Sequence, residues 1–111
     1  MSALLVLCTC PDRDTAEGIA RALVERRLAA CVSVLPGMTS VYRWQGAVEQ
    51  APELQLVIKT TRARYAEVEA AVQAVHPYEL PELLAVEPVA GLARYLDWIT
   101  AETAPGPAEP G

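Results

Sequence analysis

The stretch between residues 31 and 61 most constrains the fold that this chain can adopt. It holds two runs rich in β-branched and aromatic residues, the first over 31–44 and the second ending at Thr61, with Gln45-Gly46 between them. Runs of this kind around a glycine-containing turn are typical of a long β-hairpin. Because proline cannot donate a hydrogen bond to a sheet, Pro36-Gly37 within the first run predicts a bend or bulge. The far end of such a hairpin is expected to project beyond the domain towards a partner.

Apolar spacing assigns the other elements of the chain. A continuous apolar run of strand length places side chains on both of its faces, and two later stretches carry apolar residues at the spacing of amphipathic helices. The predicted elements are a strand over 3–10, a helix capped by Asp12, the hairpin, a second helix capped by Thr61 and ended by His76-Pro77, a short strand over 82–87 and a third helix around 92–99. The order β-α-β-β-α-β predicts an α+β, ferredoxin-like sandwich with an extended hairpin and a C-terminal helix.

Composition limits the class of protein. The chain has 111 residues, of which 52% are hydrophobic and 21% charged, which suits a single domain with a sizeable core. We expect that domain over residues 1–102 and a disordered Pro/Gly-rich tail over 103–111. The net charge of −5 argues against nucleic acid as a partner. No apolar run reaches the roughly 20 residues of a membrane helix, so no membrane partner is expected. Three cysteines, an odd count, and a start without a basic leader favour a reducing cytoplasm.

The first strand is apolar on both faces, with Leu4 and Val6 on one and Leu5 and Leu7 on the other. A ferredoxin-like sheet carries both of its main helices on one face, so an open second face should be polar at alternate positions. Leaving three or four apolar side chains in water would forgo about 1.5–3 kcal/mol each. Either another copy of the chain or the third helix must therefore cover this face, and we expect an oligomer.

Three side chains offer ligand chemistry for a soft metal ion. Cys8 and Cys10 lie two apart on the predicted strand, so both point to one side, with Cα atoms about 6.6 Å apart, a long distance for a disulfide. Two such thiols either hold Cu(I) or Zn(II) or serve as small core residues. His76, the single histidine, sits at a helix end, where it either caps the helix or becomes a ligand together with Cys8 or carboxylates. A histidine-rich metal site within one chain is excluded.

Other polar and aromatic side chains have less specific roles. Glu79 supplies either a hard oxygen ligand or a solvated loop side chain. Lys59, the single lysine, either pairs with Glu79 or binds an anionic ligand. Tyr42 and Trp44 lie near the hairpin tip and are predicted to be interface residues, because Tyr and Trp are frequent anchors of protein interfaces.

Several motifs along the chain resemble the CutA family of divalent-cation tolerance proteins, and together they span about residues 3 to 100. The motifs are Leu7-Cys8-Thr9, Leu28-Ala29-Ala30-Cys31-Val32, the run 35–44 (LPGMTSVYRW) with Gly46, Lys59-Thr60, His76-Pro77-Tyr78-Glu79 with Pro81-Glu82, and Tyr95-Leu96-Asp97-Trp98. The resemblance implies a ferredoxin-like fold assembled as a homotrimer, similar to the nitrogen-regulatory P-II signalling proteins. In such a trimer the hairpin would reach a neighbouring subunit, which gives Tyr42 and Trp44 an interface role.

The resemblance also implies a metal site. Copper binding in this family is assigned to a cysteine of the first strand and to histidines just before the Pro-Tyr element, which are Cys8 and His76 here. Where some members have a second histidine, this chain has Val75. A further ligand would then come from water, a second chain or Glu79, with Cys10 as an additional candidate. We expect copper or another divalent cation as a ligand that folding does not require.

These observations predict a homotrimeric metal-binding protein that acts in metal tolerance and in the response to metal ions. The alternative is a P-II-like trimer that senses a small ligand in clefts between subunits, with Lys59, Arg43 and Glu79 as polar contacts. An enzyme is not expected, since the sequence contains no Ser/His/Asp arrangement and no P-loop. It also lacks the asparagine that acylphosphatases of this fold class need.

Overall fold

The computed structural model of the chain describes residues 2–105. Its strands are β1 (Ala3–Cys10), β2 (Cys31–Trp44), β3 (Ala47–Thr61) and β4 (Leu84–Val86), and its helices are α1 (Arg13–Glu25), α2 (Tyr65–Val75) and α3 (Ala93–Glu102), with a 3-10 turn over Arg62–Arg64 before α2. Residues 106–111, which make up most of the predicted tail, lie outside the described range. None of the helices within 2–105 is long and apolar enough to span a bilayer.

The four strands form one antiparallel sheet in the order β2-β3-β1-β4. Residues of α1 and α2 pack together against one face of this sheet. This strand order with two helices on one face is the ferredoxin-like sandwich, so the predicted α+β fold class is confirmed. The extended hairpin and the C-terminal helix are also present.

The sequence predicts the start of α1 correctly but not the start of α2. The Asp12 Oδ1 accepts a hydrogen bond from the Thr15 backbone N–H at 2.8 Å, which confirms the predicted cap of α1. The prediction that Thr61 caps the second helix is wrong, because a 3-10 turn follows it and α2 begins only at Tyr65. The predicted strand over 82–87 is also shorter than expected, since only the residues of β4 pair with β1.

The hairpin turn is a two-residue connection in which both residues have positive φ. Trp44 lies opposite Ala47, and the connecting residues Gln45 and Gly46 have φ angles of 49° and 84°. Positive φ at both central positions is characteristic of the type I′ turn, whose twist matches that of the strands it joins. The glycine-containing turn expected from the sequence is therefore confirmed.

A β-bulge interrupts the pairing of β2 with β3. Leu35 lies opposite Gln55, but Met38 lies opposite Glu53, so β2 contains one more residue than its partner between these pairs. Gly37 has a φ of 80° within the extra segment, a conformation in which glycine is not strained. The predicted bulge is confirmed. Beyond it the alternation of side chains on β2 is inverted, because side chains of opposed residues share a face.

The core lies between the helices and the even-numbered side of β1 and β3. Its buried residues are Val6, Cys8, Cys10, Leu56 and Ile58 from the strands, Ala16, Ile19 and Leu23 from α1, Val68 and Val72 from α2, and Leu28 and Ala29 after α1. Thr60 is also completely buried on this side, and its Oγ1 donates to the Leu28 carbonyl at 2.6 Å. That bond fixes the connection between α1 and β2 to the sheet.

The opposite side of the sheet, which we call the open face, is only partly covered. At one end Ile99 of α3 packs with Ala3 and Ala30 in a small second cluster. Elsewhere the open face is apolar and accessible. Leu5, Leu7 and Val57 are half-buried, whereas Leu35, Leu84 and Val86 are exposed to 47%, 58% and 45%. The third helix therefore covers one end of this face, and in the single chain the rest contacts solvent.

Candidate metal centre

The thiols of Cys8 and Cys10 and the imidazole of His76 converge in the interior of the chain. Alternation along β1 turns both thiols towards the helices, and α2 ends at Val75, so that His76 follows directly in an extended conformation. The three ligand atoms lie within 4.8 Å of one another, and the Cys10 Sγ is 3.9 Å from the His76 Nε2. The two cysteines have no exposed surface, and His76 is 9% exposed. The cluster is thus a buried site with two sulfur ligands and one nitrogen ligand.

Hydrogen bonds to the backbone determine which nitrogen of His76 carries the proton. The Tyr78 backbone N–H donates to Nδ1 at 3.1 Å, so Nδ1 must be the acceptor nitrogen of a neutral ring. The Nε2 lies 2.8 Å from the Thr9 carbonyl oxygen, which can only accept, so Nε2 carries the hydrogen. Both ring nitrogens are therefore engaged, and the nitrogen nearest the thiols is protonated.

The two thiols influence each other's ionisation. A hydrogen bond from the Cys8 thiol stabilises a thiolate on Cys10 and lowers the pKa of Cys10. The same interaction, together with burial, raises the pKa of Cys8 above its ordinary value. The negative charges of Glu82 and Glu53 add smaller contributions in the same direction. The two thiols therefore do not ionise together: a negative charge on Cys10 makes the loss of a proton from Cys8 less favourable, because a second negative charge in this interior would be costly.

Dimensions and chemistry of the cluster both fit a soft metal ion. A thiolate sulfur at about 2.3 Å and an imidazole nitrogen at about 2.0 Å from one ion lie about 3.5–3.7 Å from each other. The observed 3.9 Å between Cys10 Sγ and His76 Nε2 is close to that separation. Thiolates and imidazoles are the ligand types that hold copper and zinc. Small movements of the side chains would bring all three atoms to bonding distance.

A cleft of about 910 Å³ lies on the side of β1 opposite to the two thiols. Its lining comprises Thr9, the hairpin residues 40–44, Glu53 and the segment 77–84. Glu53 is only 7% exposed, and its carboxylate accepts a hydrogen bond from the Tyr78 hydroxyl at 2.6 Å. Burial, and then the neighbouring Glu53, raise the pKa of Tyr78 above its usual range. Tyr78 therefore connects the cleft, through its side chain, with the metal cluster, through its backbone N–H.

The remaining residues proposed from the sequence lie in different places. Glu79 is exposed and lines the cleft, and among residues 2–105 it does not belong to the three-ligand cluster. Lys59 lies on the open face, where its Nζ donates to the Ser33 hydroxyl and lies 3.7 Å from the Cys31 Sγ. Lys59 makes no ion pair with Glu79 in the described part of the chain.

The two aromatic residues near the hairpin tip follow the bulge. Tyr42 lies opposite Glu49 and Trp44 opposite Ala47, so both are on the side of the hairpin that continues the open face. Their side chains are 44% and 37% exposed, and both also line the cleft. They are therefore available to a partner.

Sequence reasoning missed the contribution of β3 to the cleft. Gln55 donates to the Cys8 carbonyl at 3.0 Å and to the Glu82 carboxylate at 3.3 Å, and Glu53 binds Tyr78 as described above. The signal was present, since a glutamate and a glutamine at alternate positions of a mostly apolar strand face the same side. Their partners, however, lie in segments distant in sequence.

Fold and cluster together define a class: a small ferredoxin-like protein with a buried thiol–imidazole site suited to soft metal ions. The sequence profile of the CutA1 divalent ion tolerance protein matches residues 4–102. The chain therefore belongs to the CutA family of divalent-cation tolerance proteins, which is not named as a family of enzymes.

Individual relatives agree with this assignment. The divalent-cation tolerance protein CutA of Thermus thermophilus is 48% identical over 99 residues, which cover 89% of this chain and 96% of that protein. The Citrobacter koseri protein of the same name is 41% identical, with 89% and 86% covered. Among solved structures, CutA from Xylella fastidiosa superposes with a TM-score of 0.90 at 48% identity, covering 93% of this chain and 99% of that one. CutA1 from Oryza sativa gives 0.91 at 32% identity, with 96% and 97% covered.

Proposed function

We propose that the chain forms a cytoplasmic homotrimer that binds copper or another divalent cation through Cys8 and His76 and acts in metal tolerance and the response to metal ions. The observation that carries the metal part is the convergence of buried thiol and imidazole ligand atoms within 4.8 Å of one another. Membership of the divalent-cation tolerance family supports a metal as the ligand. The three cysteines are free, which suits a reducing compartment.

Binding at His76 requires a change of tautomer. The Nε2 must release the Thr9 carbonyl and lose its proton, and Nδ1 must take one up, before Nε2 of a neutral imidazole can become a ligand. If the proton moves to Nδ1, it meets the Tyr78 N–H, so two donors face each other and Tyr78 must shift. Because the Tyr78 hydroxyl also binds Glu53, loading of the cluster would reorganise the cleft. Metal binding in the interior would in this way change the shape of the cleft at the surface.

Assembly is supported by the open face. Its exposed apolar residues, Leu35, Leu84 and Val86, are the kind of surface that a second copy buries, and the resemblance to P-II-like assemblies supports three copies. Tyr42 and Trp44 extend this surface along the hairpin and are proposed as interface residues. The hairpin would then place the cleft, and with it the metal cluster, beside a neighbouring subunit.

Calorimetric titration with copper and with zinc tests the metal part. Cys8→Ser and His76→Ala are each expected to weaken binding by roughly tenfold or more, since loss even of a residue that only supports a ligand costs 10–100-fold. Cys31→Ser is the matched control, because Cys31 lies on the open face away from the cluster. Unchanged affinity in both site variants would refute the proposed role.

A second candidate function is the sensing of a small ligand in the cleft. The observation that favours it is the size of the cleft, about 910 Å³, with Arg43 and Glu79 in its lining. Lys59, which does not line the cleft, would not take part. A thermal-shift screen with nucleotides and metabolites tests this candidate, and a rise in melting temperature abolished by Arg43→Ala would support it. If metal ions alone raise the melting temperature, this candidate is excluded.

A further inference from the structure

We propose that the cleft binds an aliphatic amine with two or more ammonium groups, held by the carboxylates and the aromatic rings of its lining. This inference rests on the second candidate function, the binding of a small ligand in the cleft, and deepens it by naming the chemical class of that ligand. It does not depend on the metal cluster in the interior.

The first argument is that Glu53 has no positive partner within the chain. This residue lines the cleft and is only 7% exposed. The Tyr78 hydroxyl donates to its Oε2 at 2.6 Å, and within residues 2–105 no basic side chain forms an ion pair with it. A carboxylate offers about four acceptor positions, and a buried carboxylate without a cation is costly. A cation in the cleft would supply both the missing charge and donors for the free positions.

The second argument is that aromatic rings share the side of the sheet on which Glu53 lies. Met38 lies opposite Glu53, and Tyr42 and Trp44 follow Met38 at even spacing along β2, so these side chains belong to one side of the hairpin. Tyr78 adds a third ring to the lining. The faces of tyrosine and tryptophan rings attract ammonium groups, and the rings also pack against the methylene groups of an alkyl chain.

The charges of the lining favour a ligand with more than one positive group. The lining contains three carboxylates, Glu53, Glu79 and Glu82, and Glu82 also accepts a hydrogen bond from Gln55 at 3.3 Å. Of the nine basic residues of the chain, Arg43 alone lines the cleft, and strand alternation directs its side chain away from the two aromatic residues that flank it. The net charge of −5 of the whole chain also favours the approach of a cation.

Hydrogen bonding distinguishes an amine from other cations. A primary ammonium group has three N–H donors for the free acceptor positions of Glu53, whereas a fully alkylated ammonium group has none. Hard divalent ions need several converging oxygen ligands, and within residues 2–105 the carboxylates of the cleft do not form such a group. The cleft volume of about 910 Å³ is in the range of small-molecule sites and leaves room for an alkyl chain between the ammonium groups.

Calorimetric titration of the full chain with three ligands of equal carbon number tests the choice of ligand class. The ligands are diaminobutane, the neutral butanediol and the doubly negative succinate. Only diaminobutane is expected to bind, and its affinity is expected to fall as the salt concentration rises, because salt screens the charges. Butanediol or succinate binding as tightly as diaminobutane, or no binding of diaminobutane, would overturn the inference. This comparison does not depend on any variant.

Substitution of Glu53 tests where the amine binds. Glu53→Gln keeps the size of the side chain and an acceptor for the Tyr78 hydroxyl but removes the charge, so it is expected to weaken diaminobutane binding by about 10- to 100-fold. Glu49→Gln is the matched control, because Glu49 is an exposed glutamate on the same side of β3 that does not line the cleft. It is expected to keep the wild-type affinity. Circular dichroism establishes that each variant is folded, and wild-type affinity in Glu53→Gln would refute the site.

The outcomes also separate this inference from the candidate function on which it rests. If the chain binds an anion but not diaminobutane, and Arg43→Ala abolishes that binding, the candidate function stands and the cationic ligand is refuted. If diaminobutane does not bind and Glu53→Gln converts a trimer into monomers in sedimentation, the partner of Glu53 belongs to a neighbouring subunit and the inference is refuted. If no small molecule binds, both the inference and the second candidate function are refuted.

Discussion

The open face can be tested at Leu84, which lies opposite Leu7 and is 58% exposed. Complete burial of a leucine side chain is worth about 1.5–3 kcal/mol, so covering the exposed 58% contributes about 0.9–1.7 kcal/mol per subunit. A closed trimer repeats the contact three times, which gives about 3–5 kcal/mol per trimer. At about 1.4 kcal/mol per tenfold, the association constant gains a factor of about a hundred to a few thousand.

Leu84→Glu removes this contribution and adds a carboxylate whose desolvation costs several kcal/mol. Sedimentation velocity at micromolar subunit concentration is expected to find the wild-type protein near three times its chain mass of 11.9 kDa and the variant near 11.9 kDa. Circular dichroism of the variant should retain the helix and strand signal, because Leu84 lies outside the buried core.

Val24→Glu is the matched control, since Val24 is also an exposed apolar residue, at 41%, but belongs to α1 on the helix side. This variant is expected to remain trimeric. A Leu84→Glu protein that still sediments as a trimer, or a wild-type protein that sediments as a monomer, would refute the argument that the open face is buried by assembly.

Three further substitutions test the interior, the cleft and the turn. Thr60→Val leaves the buried Leu28 carbonyl without its donor and is expected to lower the unfolding free energy by about 1–3 kcal/mol in a denaturant titration at fixed protein concentration. Tyr78→Phe is expected to remove the component that ionises at the highest pH from a tyrosinate absorbance titration. Because the folded-state pKa of Tyr78 is raised, its hydroxyl bond to Glu53 stabilises the fold fully below about pH 10 and loses this effect as the pH rises further. Gly46→Val is expected to lower the melting temperature, since φ at 84° costs a β-branched residue about 1–2 kcal/mol, whereas Gly46→Asn should lower it less; equal melting temperatures would contradict this.

Features that depend on neighbouring residues could be predicted from the sequence. The Gln45-Gly46 turn, the bulge near Gly37 and the Asp12 cap each follow from the backbone preferences of one or two residues. The common orientation of Cys8 and Cys10 follows from the two-residue period of a strand. The backbone preferences of a few neighbouring residues are sufficient to specify such features.

Features that depend on packing between distant segments could not be predicted in this way. The proximity of His76 to the thiols was expected from the family resemblance, and its proton position depends on the backbone of Thr9 and Tyr78. The cleft arises because the segment 77–84 lies against β3, which places Glu53 under Tyr78. Thr61 was predicted to cap a helix because threonine is a common capping residue, yet a 3-10 turn follows it and its side chain makes no capping hydrogen bond.

The extra residue between Leu35 and Met38 determines which side chains of the outer half of β2 lie on which face of the hairpin. Removing Gly37 would leave the turn sequence unchanged but would exchange the two sides of that ribbon, sending Tyr42 and Trp44 to the opposite surface. Deletion of one residue here would therefore move the two aromatic side chains proposed for the subunit interface to the other surface of the hairpin, which a substitution at Gly37 that kept the register would not do.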